Sequence, residues 1–166
     1  MLWTLVGVLI GVFISVSLPI LRPRPTGIAS LDLVVFAEAA GPGIGYAVDF
    51  EAERAGYPVV LHVDADGFPS LLFPVGGVAR LDAGNRVRLP DPTGTSTWWS
   101  DEDEIVTVLT VLAEKPPADV DRLVELVERA AARASTPERA LQDVKSVLRR
   151  RLGEPVTRTL HPLRKS

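Results

Sequence analysis

The side chains in this sequence that can do chemistry are few and scattered. Its two histidines, His62 and His161, are separated by most of the folded length of the chain. A neutral imidazole ligates a metal or moves a proton only with partners close by, and this spacing supplies none. A structural or solvent-facing place is expected for both. No Gly-x-Ser-x-Gly elbow offers a serine nucleophile, and the absence of cysteine excludes thiol nucleophiles, zinc–thiolate sites and disulfides. Gly41-Pro42-Gly43-Ile44-Gly45 has the glycines of a phosphate-cradling loop. Such a loop needs a following helix whose N–H groups point at the phosphate, and here a strand is expected from Ile44. Asp64-Ala65-Asp66-Gly67 shares two aspartates and a glycine with calcium loops. It lacks the fifth-position oxygen ligand and the bidentate glutamate that complete a coordination shell, so a turn is expected. No catalytic, cofactor-binding or metal-ligating residue is assigned, and the chain reads as a protein that is not an enzyme. The alternative is a hydrolase whose site is assembled from distant residues, which requires a pocket placing His62 beside Ser70 and a carboxylate.

One cluster has the chemistry of contact. Trp98 and Trp99 are followed by the anionic run Asp101, Glu102, Asp103 and Glu104. Four adjacent like charges are solvated in the simplest reading, as a loop leading into a strand. Tryptophans beside charge are also what interface hot spots are made of, which makes Trp98, Trp99, Asp101 and Glu102 the candidate partner contacts. Near the other terminus, Arg149, Arg150, Arg151, Arg158, Arg164 and Lys165 form a basic group. Solvated helix-end charge is the simpler account of it, and contact with anionic lipid or an acidic partner is the sharper one.

The elements that must hold these residues follow from composition and pattern. With 166 residues, 46% hydrophobic and 23% charged, the chain can build one domain with a real core and little more. A formal charge of −3 gives no global attraction to nucleic acid.

From Met1 to Leu21 no side chain is charged, and the stretch is apolar enough to cross a hydrocarbon layer of about 30 Å as a helix. Arg22-Pro23-Arg24-Pro25 stops it, with the arginines at headgroup level. A cleaved signal peptide is the other possibility. The lack of a basic residue before the apolar stretch, and Pro19 close behind the small-residue site Ser15-Val16-Ser17, favour a retained anchor. Residues 1–21 are therefore expected to be a transmembrane anchor, 22–30 a Pro/Arg/Gly linker, 31–163 one globular domain and 164–166 a tail. Arg22 and Arg24 favour a cytoplasmic domain by the positive-inside rule. Gly7 and Gly11 form a Gly-x-x-x-Gly pair, a common pattern in spans.

In the domain, Leu31 to Glu38 and Ile44 to Arg54 read as strands, the second alternating through Tyr46, Val48 and Phe50. Tyr57 to Val63 and Phe68 to Phe73 flank Asp64-Ala65-Asp66-Gly67 as the clearest hairpin. Val78 to Leu81 and Val87 to Leu89 suggest a short irregular hairpin, residues 91–104 a polar loop, and Ile105 to Ala113 a central strand. After Pro116 the period becomes helical, with Val120, Leu123, Val124, Val127, Ala130, Ala131 and Ala134 on one face. Ser135 or Thr136 can cap a second helix whose buried face is Ala140, Leu141, Val144, Val147 and Leu148, ended by Gly153. Thr157 to Leu160 is suited to an edge strand. Strands first and helices second give a segregated α+β domain, sandwich-like and β-rich, with two C-terminal helices packed on it.

Residues 31–127 resemble the bacterial domain of unknown function 4384. The likeness rests on Leu33-Val34-Val35-Phe36, on Gly56-Tyr57-Pro58-Val59-Val60-Leu61-His62-Val63-Asp64-Ala65-Asp66-Gly67 leading to Leu71-Leu72-Phe73-Pro74, and on Leu81-Asp82-Ala83-Gly84, Leu89-Pro90 and Ile105 to Ala113. The resemblance implies a compact β-rich domain outside the cytoplasm, exported or membrane-anchored, in some cases beside sigma and anti-sigma factors, with no catalytic residues or cofactor to carry over. It decides the orientation against the two arginines. The double tryptophan and acidic run depart from the family pattern. The expectation is a single-pass, membrane-tethered accessory domain of the bacterial envelope that binds a protein or envelope partner and no nucleic acid. A structural subunit of an envelope assembly is the other binding reading.

Overall fold

The computed structural model describes residues 26–36, 44–74, 79–90, 98–100 and 105–161. The expected anchor and residues 22–25 of the expected linker lie outside them. Among the described residues no helix is long and apolar enough to cross a membrane.

Eight strands and two helices are described: β1 (Ile28–Phe36), β2 (Ile44–Ala52), β3 (Tyr57–Val63), β4 (Pro69–Phe73), β5 (Arg86–Leu89), β6 (Trp98–Ser100), β7 (Val106–Ala113), α1 (Val120–Ala131), α2 (Pro137–Arg151) and β8 (Val156–Leu160). They make an α+β domain with two antiparallel sheets. In the first, β2 pairs with β1 along one edge and with β5 and β6, end to end, along the other. The second has the order β4-β3-β7-β8.

Alternation along the strands puts the two sheets face to face. Tyr46, Val48, Phe50 and Ala52 of β2 and Ile28 and Leu31 of β1 pack on Val60, Val106, Val108 and Leu112 of the second sheet. The opposite face of that sheet, through Val59, Leu61, Val63, Leu109 and Val111, packs on Leu123, Val127 and Ala131 of α1 and Ala140, Val144, Val147 and Leu148 of α2. The result is three layers, sheet on sheet on helices. The central strand β7 is covered on both sides and is buried from end to end. This is why its sequence runs apolar without alternating.

The hairpin at Asp64 forms as its residues dictate. Gly67 takes φ of 86°, and the Asp64 carboxylate accepts from the Phe68 amide at 2.7 Å. A Cβ at Gly67 would meet the Ala140 Cβ at 2.8 Å, so the turn also needs glycine to close on α2. The helix caps follow sequence as well. Asp119 accepts from the Arg122 amide and Thr136 from the Arg139 amide. At the start of α2 the backbone N–H groups, and secondarily the Thr136 hydroxyl, hold the Glu138 carboxyl below the ordinary carboxylate range.

Three local expectations change. The first strand starts at Ile28 rather than Leu31, because Ile28 is itself a core residue. Among the described residues no hairpin joins 79–81 to 87–89, and Val78 lies outside them. Leu81 makes an isolated bridge with Gly56, and β5 instead joins β2, fixed by a bidentate ion pair from Arg88 to Asp49. Trp98 stands in a strand, not in a polar loop.

Thr110 is the polar group out of place. Its side chain is fully buried and its hydroxyl has no hydrogen-bond partner among the described residues. By alternation with Val108 and Leu112 it faces the interior between the sheets. An unpaired buried hydroxyl costs about 1–3 kcal/mol, and valine has nearly the same shape without it. Thr110→Val is therefore expected to stabilise the fold by about 1 kcal/mol, read as a higher urea midpoint at unchanged slope. A lower midpoint would show that the hydroxyl is satisfied in solution.

Candidate functional site

The strand directions give the domain two distinct ends. At one end β1 begins, β2, β3's start and β7's finish meet, and α2 runs out. At the other end lie the start of β2, the β3–β4 turn, β6 and the start of β7. The second end gathers the aromatic side chains. Tyr46 of β2 is fully buried. Its ring meets the His62 ring edge-on at 6.3 Å and the Trp98 ring in a tilted contact at 6.0 Å. Tyr46 is thus the middle of a row that spans both sheets, with His62 contributed by the opposite one.

At the same end the surface keeps two large apolar side chains in water, Phe68 at 50% exposure in the hairpin turn and Ile105 at 40% just before β7. The register pairs Val63 with Thr107, so the chain segments carrying Phe68 and Ile105 leave neighbouring strands at this same end. Aromatic and apolar side chains clustered at an exposed rim are suited to contact another surface rather than to transform a substrate.

The sequence-predicted contact residues meet this end unequally. Trp98 is half-buried and packs on the core between the sheets, so it anchors the rim. Trp99 is placed by its backbone, paired with Gly45. Asp101 and Glu102 lie outside the described residues, between two strands that both reach this end.

The hydrolase alternative receives part of what it needs. His62 and Ser70 are direct cross-strand partners, which puts a histidine and a serine on adjacent strands. Ser70 is exposed, and the Asp64 carboxylate, the nearest acid in sequence, is engaged by its own turn. Three open clefts lie at the opposite end of the domain and are lined by neither His62 nor Ser70. No group of three or more His, Asp or Glu able to hold a metal exists among the described residues.

Sequence reasoning missed the Tyr46–His62–Trp98 row. The signal was present in part, since alternation assigns Tyr46 to the core face of β2 and His62 to the face opposite Leu61. What joins them is the pairing of β6 with β2, which three residues with no turn signal do not announce. Compared with protein-family models, with curated proteins and with solved structures, the chain matches none.

Proposed function

We propose that this chain is a membrane-tethered, non-catalytic binding domain of the bacterial envelope that meets its protein partner with the aromatic end of the sandwich. The observation that carries this reading is the opposition of the two ends. Ile28 pairs with Ala52 and the Gly27 carbonyl accepts from the Glu53 amide, so the chain enters the domain at the far end of β2 from Tyr46. Six residues of strand separate Ala52 from Tyr46, about 20 Å. An anchor in residues 1–21 attached at that end holds the rim of Phe68, Trp98 and Ile105 away from the bilayer. The acidic run that precedes Ile105 in sequence favours a partner surface with complementary positive charge. The likeness to domain of unknown function 4384 supports an extracytoplasmic place and an accessory role near sigma or anti-sigma signalling.

A photo-crosslinking amino acid at position 68 of the full chain, in living cells, tests both halves. One discrete protein adduct is expected there, lost when Ile105→Glu places a charge in the rim, and none is expected from position 82 on the opposite loop. Equal adducts from both positions would reject the aromatic end as the contact. Protease added to intact spheroplasts is expected to cut the domain, and protection would reject the extracytoplasmic placement.

A further inference from the structure

The end of the domain where the chain enters is built from arginine. Three adjoining open clefts there, of about 450, 500 and 380 Å³, are lined by Arg54, Lys115, Arg122, Arg149, Arg150 and Arg151. Acidic lining comes from Glu114, Asp119 and Glu154. Asp119 is committed to capping α1, and Glu154 holds Arg149 in a bidentate pair at 2.5 and 2.7 Å. Glu125 engages Arg122. This leaves Lys115, Arg150 and Arg151 exposed with no ion pair to a described residue. Arg150 donates from Nε to the Ser146 carbonyl, which turns its guanidinium back along the last turn of α2.

Arg54 ties this patch to the chain's point of entry. It lines the second cleft with Arg149, Arg150 and Arg151, donates to the Leu112 carbonyl at 2.7 Å, and lies so close to Gly27 that a Cβ there would meet its Nε at 2.6 Å. Only residues 22–25, Arg-Pro-Arg-Pro, separate Thr26 from the uncharged stretch that ends at Leu21. The five steps of chain from Leu21 to Thr26 reach at most about 18 Å. A surface that holds residues 1–21 would therefore lie near the end of the domain that carries these arginines. The cleft lining carries six basic side chains against the acidic Glu114, Asp119 and Glu154, with Glu53 beside Gly27 at the point of entry, on a chain whose formal charge is −3.

We infer that the arginine-lined end docks on anionic lipid headgroups, so that the domain sits upright on the bilayer with its aromatic end outward. The inference rests on reading residues 1–21 as a lipid anchor. A juxtamembrane basic cluster is drawn to anionic lipid, and the attraction is screened within a Debye length of about 10 Å or less at physiological salt.

The natural absence of cysteine allows a single reporter. Full-length chain carrying Ala118→Cys, in the first cleft, or Ala65→Cys, in the distant hairpin turn, is labelled with a donor dye. It is then mixed with vesicles of phosphatidylcholine alone or with added phosphatidylglycerol, each holding a headgroup acceptor. Flotation with neutral vesicles reads the anchor, and energy transfer reads the docking. Transfer from position 118 is expected to rise on anionic vesicles, to stay low from position 65, and to fall back in about 0.5 M salt. In the Arg149→Gln, Arg150→Gln, Arg151→Gln variant the docked-to-free ratio is expected to fall on the order of tenfold or more, with flotation on neutral vesicles retained. Flotation with equal transfer on both vesicle types, or transfer insensitive to salt, would overturn the docking and leave the anchor standing. Flotation on anionic vesicles only would overturn the anchor while supporting the lipid-binding end. Failure to float on either would overturn both.

Discussion

Alanine in place of Phe50 is expected to cost about 3–5 kcal/mol of unfolding free energy, and alanine in place of Leu148 about 2–5 kcal/mol. Both side chains are fully buried, but in different cores. Phe50 fills the space between the sheets, whereas Leu148 fills the space between the second sheet and α2. The strands β3 and β7 separate them. If the layers pack as two cores sharing one sheet, the double variant loses the sum of the single losses to within about 0.5 kcal/mol, as distant sites do. Since a domain of this size holds about 5–15 kcal/mol in all, that sum brings the double variant close to unfolding at room temperature. Urea titration followed by far-ultraviolet circular dichroism measures all three. A double loss smaller than the larger single loss would show that the helices and the first sheet unfold as separate units, and the three-layer description would fail.

Most of this architecture was legible in the residues. The Asp64–Gly67 turn, the alternation of β2, the apolar run of β7, the cap at Thr136 and the edge strand β8 each follow from a local rule that tertiary structure had no reason to override. The elements that were not legible are those set by distant pairing. Residues Arg86 to Leu89 look like half of a hairpin because Asp82-Ala83-Gly84-Asn85 precedes them, and a turn does form there, with Gly84 at φ 81°. The strand after it joins β2 because Asp49 offers Arg88 a carboxylate. Trp98 was read as exposed for lack of a periodic neighbour on either side, yet a three-residue strand is enough to seat it against Tyr46. The same limit applies to the arginines. In sequence they are the end of a helix, and only the fold shows that α2 ends beside Gly27 and Arg54.

Arginine at both Val8 and Val12 is expected to move the chain from the carbonate-resistant membrane fraction to the supernatant. Both positions lie within the uncharged stretch of residues 1–21 and, at a spacing of four, would share one face of the proposed helix. Each arginine near the middle of a span opposes insertion by about 2.5–3.5 kcal/mol. The pair therefore shifts partitioning by about a thousandfold or more, against a shift close to none for leucine at the same two positions. The described domain begins at Thr26, so its urea midpoint should not move in either variant, which separates lost anchoring from lost folding. The rival account, a leader that is removed, makes the opposite statement. In that case the leucine variant yields the same soluble mature chain as wild type, and mass measurement finds residues 1–17 missing from both. Wild-type chain of full mass in the membrane, released by arginine and retained by leucine, requires that the uncharged stretch itself hold the domain at the bilayer, because no other part of the molecule differs between the two variants.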